Sequence, residues 1–393
     1  MSHLRVLHLA DSLHGGGAES VFRTTIELSR RFAPELRVLT ATGRTTPGSY
    51  VYSRRNQRIL LAELRSFGPD VVHIQNYYHA LSPSVLGALR IYKKSRPALR
   101  VVFTAHDYHL VCPNSGMQHF PQGIRTNVPI DEDPVRLMRR YDHRSWFHAI
   151  LKIAQFSVAY RLLRLQRVID EVISPSHFLA SALHRRGLRA RVSVVRNPLS
   201  LERGAGPSIE SDRRSPIDVV SLGFVGRLVP EKGLGELIRA LSQLRDEVPT
   251  ELHVFGEGPQ KQELIALTDK LQLGNRVVFH GRVPHAETWA AVSALDTVVV
   301  PSVWYENAPQ VVLEAAAVGV PVIGNDLGGV AEMCDEITNA QLCNTADPAE
   351  LGRALRAVRT NGGVNALRRP EDYSPRHYAR ELRRIYVGDS ISS

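Results

Sequence analysis

The feature that most constrains this chain is an alternation of short apolar, β-rich runs with stretches of helical periodicity, kept up from end to end. Strand-like runs fall at Arg5–Ala10, Leu36–Thr40, Asp70–Gln75, Arg100–Thr104, Asp170–Ile173 and Arg191–Val195. Helical patterns such as Ala18–Arg31, Arg55–Phe67 and His177–Arg186 lie between them. Parallel neighbours need a crossover, usually a helix, so this rhythm predicts an α/β fold with parallel sheets covered by helices on both faces. The rhythm breaks at residues 197–216 (NPLSLERGAGPSIESDRRSP), a stretch without an apolar run that reads as a linker. A second series follows at Val219–Val225, Glu251–Phe255, Val277–His280, Thr297–Pro301 and Val320–Gly324. Two doubly wound domains are therefore expected, 1–198 and 199–372, a comfortable division of 393 residues. A final basic helical pattern, Arg376–Tyr386, is expected to place 373–393 back on the first domain. Residues 105–145, rich in Pro and Gly, fit neither series and are expected to form a functional lid or a mobile segment.

Charge is distributed unevenly along the chain. Residues 1–200 carry 29 Lys+Arg against 13 Asp+Glu, whereas 201–351 carry 11 against 22, within an overall net charge of +10. A basic half joined to an acidic half suggests one face directed at an anionic surface. That surface could be a nucleic acid or a membrane; no recognised nucleic-acid module is present, so nucleic acid is not expected as a partner. Met1–Ala10 reads as a strand, and no secretory signal is expected. Within Trp146–Ile169 the longest uncharged run, Ile153–Tyr160, is far short of the roughly 20 residues of a membrane span. Cys112, Cys334 and Cys343 form no CxxC pair, which argues against a disulfide scaffold and for a reducing compartment.

Three motifs carry chemistry. Gly15–Ser20 (GGGAES) follows the first strand, where Gly16 and Gly17 would let the backbone approach a phosphate at a helix start; read alone, a plain tight turn fits equally well. Gly226–Gly233 (GRLVPEKG) sets Arg227 and Lys232 at the carboxyl end of a strand, suited to clamp a diphosphate, or else two solvated surface cations. Both side chains are expected to be exposed. Pro301–Gly324 places Glu306 in a loop and Glu314 in the second turn of a helix that starts at Pro309. Two such carboxylates could hold vicinal hydroxyls, with the Gln310 and Val311 amides facing a phosphate between them. A capping glutamate with a structural ion pair is the other reading of this motif.

Taken together in this order, with the FGEGP turn at Phe255–Pro259 and GGVAE at Gly328–Glu332, these residues resemble the retaining glycosyltransferases of family 4. The resemblance implies the GT-B fold, two Rossmann-like domains with a nucleotide-sugar donor between them. It implies that Gly16 and Gly17 approach the donor diphosphate, that Arg227 and Lys232 neutralise it, and that Glu306 binds the sugar with the Gln310 and Val311 amides nearby. It further implies that Glu314 holds the ribose, that the base rests near Gly256, Gly258, Arg282 and Val283, and that His106 lines the donor-sugar pocket. His106 read by itself is also compatible with a satisfied structural histidine. The cations would do the work of a metal, so no metal and no cofactor beyond the donor substrate are expected. The expected protein is a transferase at the cytoplasmic face of a membrane, acting on a lipid-linked or saccharide acceptor. An epimerase of the same fold and a non-catalytic nucleotide-sugar-binding subunit are the rivals.

Overall fold

The computed structural model describes residues 4–13, 17–41, 45–131, 136, 138–199, 219–361 and 363–388. Most of the expected linker, and Gly16, lie outside them. The chain divides into two compact units, Met1–Pro198 with Glu371–Ser393, and Leu199–Pro370.

Among the described residues the first unit holds eight strands: β1 (Arg5–Ala10), β2 (Glu35–Thr40), β3 (Val71–Ile74), β4 (Arg100–Thr104), β5 (Gln118–His119), β6 (Thr126–Asn127), β7 (Glu171–Ser174) and β8 (Arg191–Val194). Six of them form one sheet in the order β2-β1-β3-β4-β7-β8, parallel throughout. All four residues of β3 and all four of β7 are buried, as strands covered on both faces require. The final helix, Pro375–Val387, is capped by Ser374, whose hydroxyl accepts from His377 N. It lays Tyr378, Leu382, Ile385 and Tyr386 against Val6, Leu28, Val71 and Val102 of this unit.

The second unit holds β9 (Val220–Val225), β10 (Thr250–Phe255), β11 (Val277–Gly281), β12 (Thr297–Val300), β13 (Val322–Asn325) and β14 (Ala340–Cys343). Their order is β11-β10-β9-β12-β13-β14, again all parallel. The chain winds outward from β9 in one direction, then returns to start β12 on the other side of it. The topological switch point therefore falls between β9 and β12, where open α/β sheets bind ligands at the strands' carboxyl ends. Strand β14 and the helix Ser84–Ser95 escape the sequence pattern, the former because only its last residue is fully buried.

One expectation about the first unit needs correction. The 105–145 segment, over its described residues, is not a loose lid. Tyr108, Cys112, Met117 and Tyr141 are fully buried, and Asn114 ties the segment together by accepting from Gly116 N at 2.8 Å and donating to Tyr141 O at 2.9 Å. Packing of side chains with no regular period supplied the order that periodicity could not announce. In the stretch 146–169, Trp146–Phe156 is an α-helix that continues as a π-helical turn, Ser157–Leu162. Its Lys152 does not reach out to solvent with Arg161, Arg164 and Arg167, but turns inward to Asp142 at 3.0 Å. Asp142, almost fully buried, also holds Arg144, and these cations keep its carboxyl well below the usual range although burial alone would raise it.

Candidate functional site

In the second unit, the loops leaving β9, β10, β11, β12 and β13 are fastened to one another by their backbones. Gly226 N donates to Phe255 O at 3.0 Å, Leu228 N to Glu257 O at 3.0 Å, and Gly256 N to Gly281 O at 2.8 Å. Across the switch point, Val303 N donates to Glu231 O at 3.0 Å, and Gly329 N closes the row on Glu306 O at 2.8 Å. Three glycines make this approach possible. Gly233 has φ +70°, and a Cβ there would stand 1.9 Å from the Pro301 carbonyl oxygen. A Cβ at Gly256 would stand 1.8 Å from Gly226 O. Gly258, whose Cβ would meet Leu228 O at 2.2 Å, belongs to the same close contact. Here Gly256 and Gly258 serve loop-on-loop packing beneath Arg227.

That packing brings Lys232 to Glu306. Lys232 Nζ lies 2.5 Å from Glu306 Oε1, and Ser302 Oγ donates to the same oxygen at 2.7 Å. Glu306 is only 6 % exposed. Burial by itself would raise its pKa, but the Lys232 charge and the hydrogen bonds from Lys232 and Ser302 outweigh it and hold the carboxyl below its ordinary range. The Lys232 ammonium also sits 6.0 Å from the Trp304 ring centre. Asn325, at the end of β13, steadies this loop by donating to Pro301 O and Ser302 O at 3.2 and 3.0 Å. No motif marks Ser302 or Asn325, whose parts depend on the pairing of neighbouring strands rather than on spacing.

Lys232 is accordingly not the exposed cation expected: a buried carboxylate in reach draws it in, and its side chain is 27 % accessible. Arg227 is exposed and makes no ion pair among the described residues. Pro309 stands at the N-cap, with extended ψ of 110°, and the helix runs Gln310–Ala317. Gln310 and Val311 are thus the first two helical residues, whose amides have no partner within the helix. Glu314 is half-buried one turn further on. Arg282 is exposed and Val283 half-buried in the turn after β11, where the Val283 carbonyl accepts from Thr288 Oγ1 at 3.3 Å. Among the described residues no three His, Cys, Asp or Glu stand together as a metal site would require. One Asp-x-Asp triplet, the type of sequence that often ligates a metal in sugar transferases, does occur at Asp131–Asp133. Its Asp131 is exposed and pairs with Arg185 at 2.9 Å, and the other two residues lie outside the described ones.

The first unit holds the remaining sequence candidates. Gly17 opens the helix Gly17–Ser29, with open space where a side chain would be. His106 follows β4, and its Nε2 is hydrogen-bonded to Gln75 Oε1 at the end of β3. Burial pushes the His106 imidazole down to about 4, so it is neutral at neutral pH. Gln75 went unnoticed in the sequence because a single amide after a strand carries no motif.

Comparison with known proteins fits this architecture. Residues 4–203 match the model of Glycosyltransferase Family 4, and residues 211–377 that of Glycosyl transferases group 1. Glycogen synthase of Mycobacterium tuberculosis is 35 % identical over 258 residues, covering 65 % of this chain and 59 % of its own. The 2-deoxystreptamine glucosyltransferase of Streptomyces kanamyceticus is 30 % identical over 205 residues, 51 % of this chain and 48 % of its own. The chain spans about half to three-fifths of the length of these relatives. Among solved structures, Anabaena HepE in complex with UDP and glucose superposes with a TM-score of 0.65 at 17 % identity, over 98 % of this chain and 100 % of that one. A lipopolysaccharide outer core galactosyltransferase gives 0.63 at 17 %, over 98 % and 99 %. These likenesses show the fold, GT-B, with a parallel α/β sheet in each of two domains. With a family model matched over more than half its length and a switch-point loop cluster of the expected residues, this chain belongs to glycosyltransferase family 4.

Proposed function

We propose that the chain is a retaining, metal-independent glycosyltransferase. It moves a sugar from a UDP- or GDP-linked donor to a hydroxyl of a lipid-linked or saccharide acceptor in cell-surface glycan biosynthesis. The observation that carries the reading is the joining of Lys232 and Glu306 at the switch point beside the first turn of Gln310–Ala317. When the bond from the anomeric carbon to the diphosphate oxygen breaks, its electron pair stays with the diphosphate. Fixed positive charge beside that oxygen lowers the barrier more than any other single device. Lys232 has three N–H donors, so it can keep Glu306 and still face a phosphate. Arg227 supplies a planar fork for the same group. The Lys232 and Ser302 contacts to Glu306 both fall on Oε1, and Oε2 would accept from a sugar hydroxyl. Glu314 would take the ribose hydroxyls, the Gln310 and Val311 amides a phosphate, and Arg282 and Val283 the base. The family resemblance further assigns the diphosphate to Gly16 and Gly17 and the donor sugar to His106. HepE was solved with UDP and glucose, which supports a nucleotide-sugar donor.

The same reading places the chain on the inner face of an anionic membrane. The helix Trp146–Phe156 leaves Trp146, Phe147 and Ile150 more than half exposed, and exposed Arg161, Arg164 and Arg167 follow it. Apolar rings with a cationic flank suit a head-group boundary. No helix among the described residues is long and apolar enough to cross a membrane.

A thermal-shift and transfer screen against UDP- and GDP-sugars tests the proposal. A ligand at 100 times its dissociation constant adds about 2.7 kcal/mol to stability. Stabilisation with transfer to an acceptor supports it. Conversion of the donor sugar without an acceptor would favour an epimerase, and stabilisation without turnover a binding subunit. Co-sedimentation with anionic vesicles that weakens between 0.1 M and 1 M salt, as the Debye length falls from about 10 to about 3 Å, supports the membrane assignment. No binding to anionic vesicles at low salt removes it.

A further inference from the structure

If the switch-point loops hold a diphosphate as proposed above, Lys232 has two anions to serve, the ligand and Glu306. Resting on that reading, we propose that Trp304 is a positioning residue whose indole N–H closes on the Glu306 carboxylate as the diphosphate draws the Lys232 ammonium.

The need for such a donor follows from burial. Glu306 is almost wholly buried, and its charge is met by Lys232 Nζ at 2.5 Å and Ser302 Oγ at 2.7 Å. A buried carboxylate deprived of its cation is strongly destabilised, so any change of partner needs another donor within reach. Trp304 supplies one. Its Nε1 is sealed from water and makes no hydrogen bond of ordinary geometry. It nevertheless stands close enough to Glu306 to help hold that carboxyl below its ordinary range. An indole nitrogen can only donate, and a buried donor left unmet is costly. Folded proteins keep few such groups, and a role in ligand binding is one reason to keep them.

The backbone pins the indole and leaves the ammonium free to swing. Glu306 N donates to Trp304 O at 3.0 Å, and Val303 N donates to Glu231 O at 3.0 Å, so Trp304 is held from both sides. Asn325 fixes the turn before it through Pro301 O and Ser302 O. Lys232 instead reaches Glu306 on a flexible stem from the end of the turn Pro230–Lys232. Its ammonium lies 6.0 Å from the Trp304 ring centre, at the outer limit of attraction by an aromatic face. The ring is thus a neighbour of both partners. A diphosphate carries more charge than one carboxylate and pulls the ammonium towards itself. As the Lys232 bond lengthens, the carboxylate takes the indole N–H and keeps the Ser302 hydroxyl. Glu306 then stays ionised to hold the sugar hydroxyl assigned to it.

The three tryptophans, Trp146, Trp289 and Trp304, give three indole signals in ¹H–¹⁵N NMR of the full chain. Trp304 is assigned by the loss of its signal in Trp304→Phe, or by elimination through Trp146→Phe and Trp289→Phe. A new bond to a carboxylate moves an indole proton downfield. We expect that shift at pH 8 when UDP or GDP is added to the wild type, and not with uridine or guanosine, which lack phosphate. Lys232→Met should produce it with no nucleotide present, because the carboxylate has lost its cation. Trp304→Phe keeps an aromatic ring and removes the donor. It should bind the diphosphate about tenfold more weakly, the order of one hydrogen bond to a charged group, and the matching nucleoside as the wild type does. Equal losses for both ligands would mark a merely structural residue and overturn the proposal. An indole proton unmoved by nucleotide and by Lys232→Met overturns it as well. A wild type that binds neither UDP nor GDP, with the shift intact in Lys232→Met, would instead strike the diphosphate reading and leave the exchange between side chains standing.

Discussion

The two units share a parallel α/β plan but hold their candidate side chains by different means. In the second unit, charges stand on loops at the sheet's carboxyl end, and each loop is fastened to its neighbour through glycines and backbone amides. In the first unit, His106 is set by a buried side-chain relay whose members lie in the helix Gly17–Ser29, after β3, and in the terminal helix. Backbone fastening leaves a trace in sequence, because glycines and turn residues must fall at fixed places. A side-chain relay leaves almost none, since Thr, Gln and Tyr are common and their partners are remote. The difference teaches where a motif can be trusted: it reports loops, not what supports them from behind.

Chemistry provides the largest test of that contrast. Arg227→Ala and Lys232→Ala should each lower turnover by about 10²–10³, as for the loss of one preorganised transition-state donor. His106→Ala should be milder. Equal losses from all three would break the division of labour between the units, and near-normal turnover in both cation variants would remove the clamp.

Stability sharpens it next. Removing Lys232 strands the buried Glu306 carboxylate, so Lys232→Ala should lose about 1–3 kcal/mol, less than a fully buried pair because the lysine is partly accessible. Exposed Arg227 should be replaced at little cost to folding. Adding Glu306→Gln to Lys232→Ala should restore most of the loss, since a neutral amide is cheaper to bury than an ion. The sign of the pH dependence follows from the lowered Glu306 pKa. Its contribution is present above the ordinary glutamate value of about 4.3 and is lost as pH falls through the lower folded value. Melting curves of the wild type should therefore fall more steeply than those of Glu306→Gln below about pH 4. Parallel curves would contradict the pair.

The smallest effect is expected from chelation. With Arg227 and Lys232 offsetting the diphosphate charge, EDTA should leave transfer unchanged. Abolition by EDTA and rescue by Mg²⁺ or Mn²⁺ would move attention to the Asp131–Asp133 triplet.

Much of this was legible beforehand. The sequence pattern marks β1 to the residue and β9 to β13 to within two, most plainly where a strand such as β12 is buried on both faces as a continuous apolar run, whereas β14 escapes it. Motif spacing picks out Glu306 and Lys232 as candidates but not their mutual contact, which depends on β12 returning beside β9. Glu306 is in an ion pair and His106 is a hydrogen-bonded histidine, and both conditions prepare a site as readily as they stabilise a fold. What stayed hidden was irregular packing in 105–145, the inward turn of Lys152, and every member of the His106 relay.

In the proposed function, the second unit's switch-point loops hold the donor diphosphate. Calorimetric titration of UDP and GDP into the wild type, Arg227→Ala, Arg227→Ala with Lys232→Met, and Tyr378→Phe tests it most directly, with folding checked by circular dichroism. We predict binding of one nucleotide to the wild type and to Tyr378→Phe with equal affinity, and at least a hundredfold weaker binding to the double variant. A folded double variant that binds as tightly as the wild type would contradict the claim.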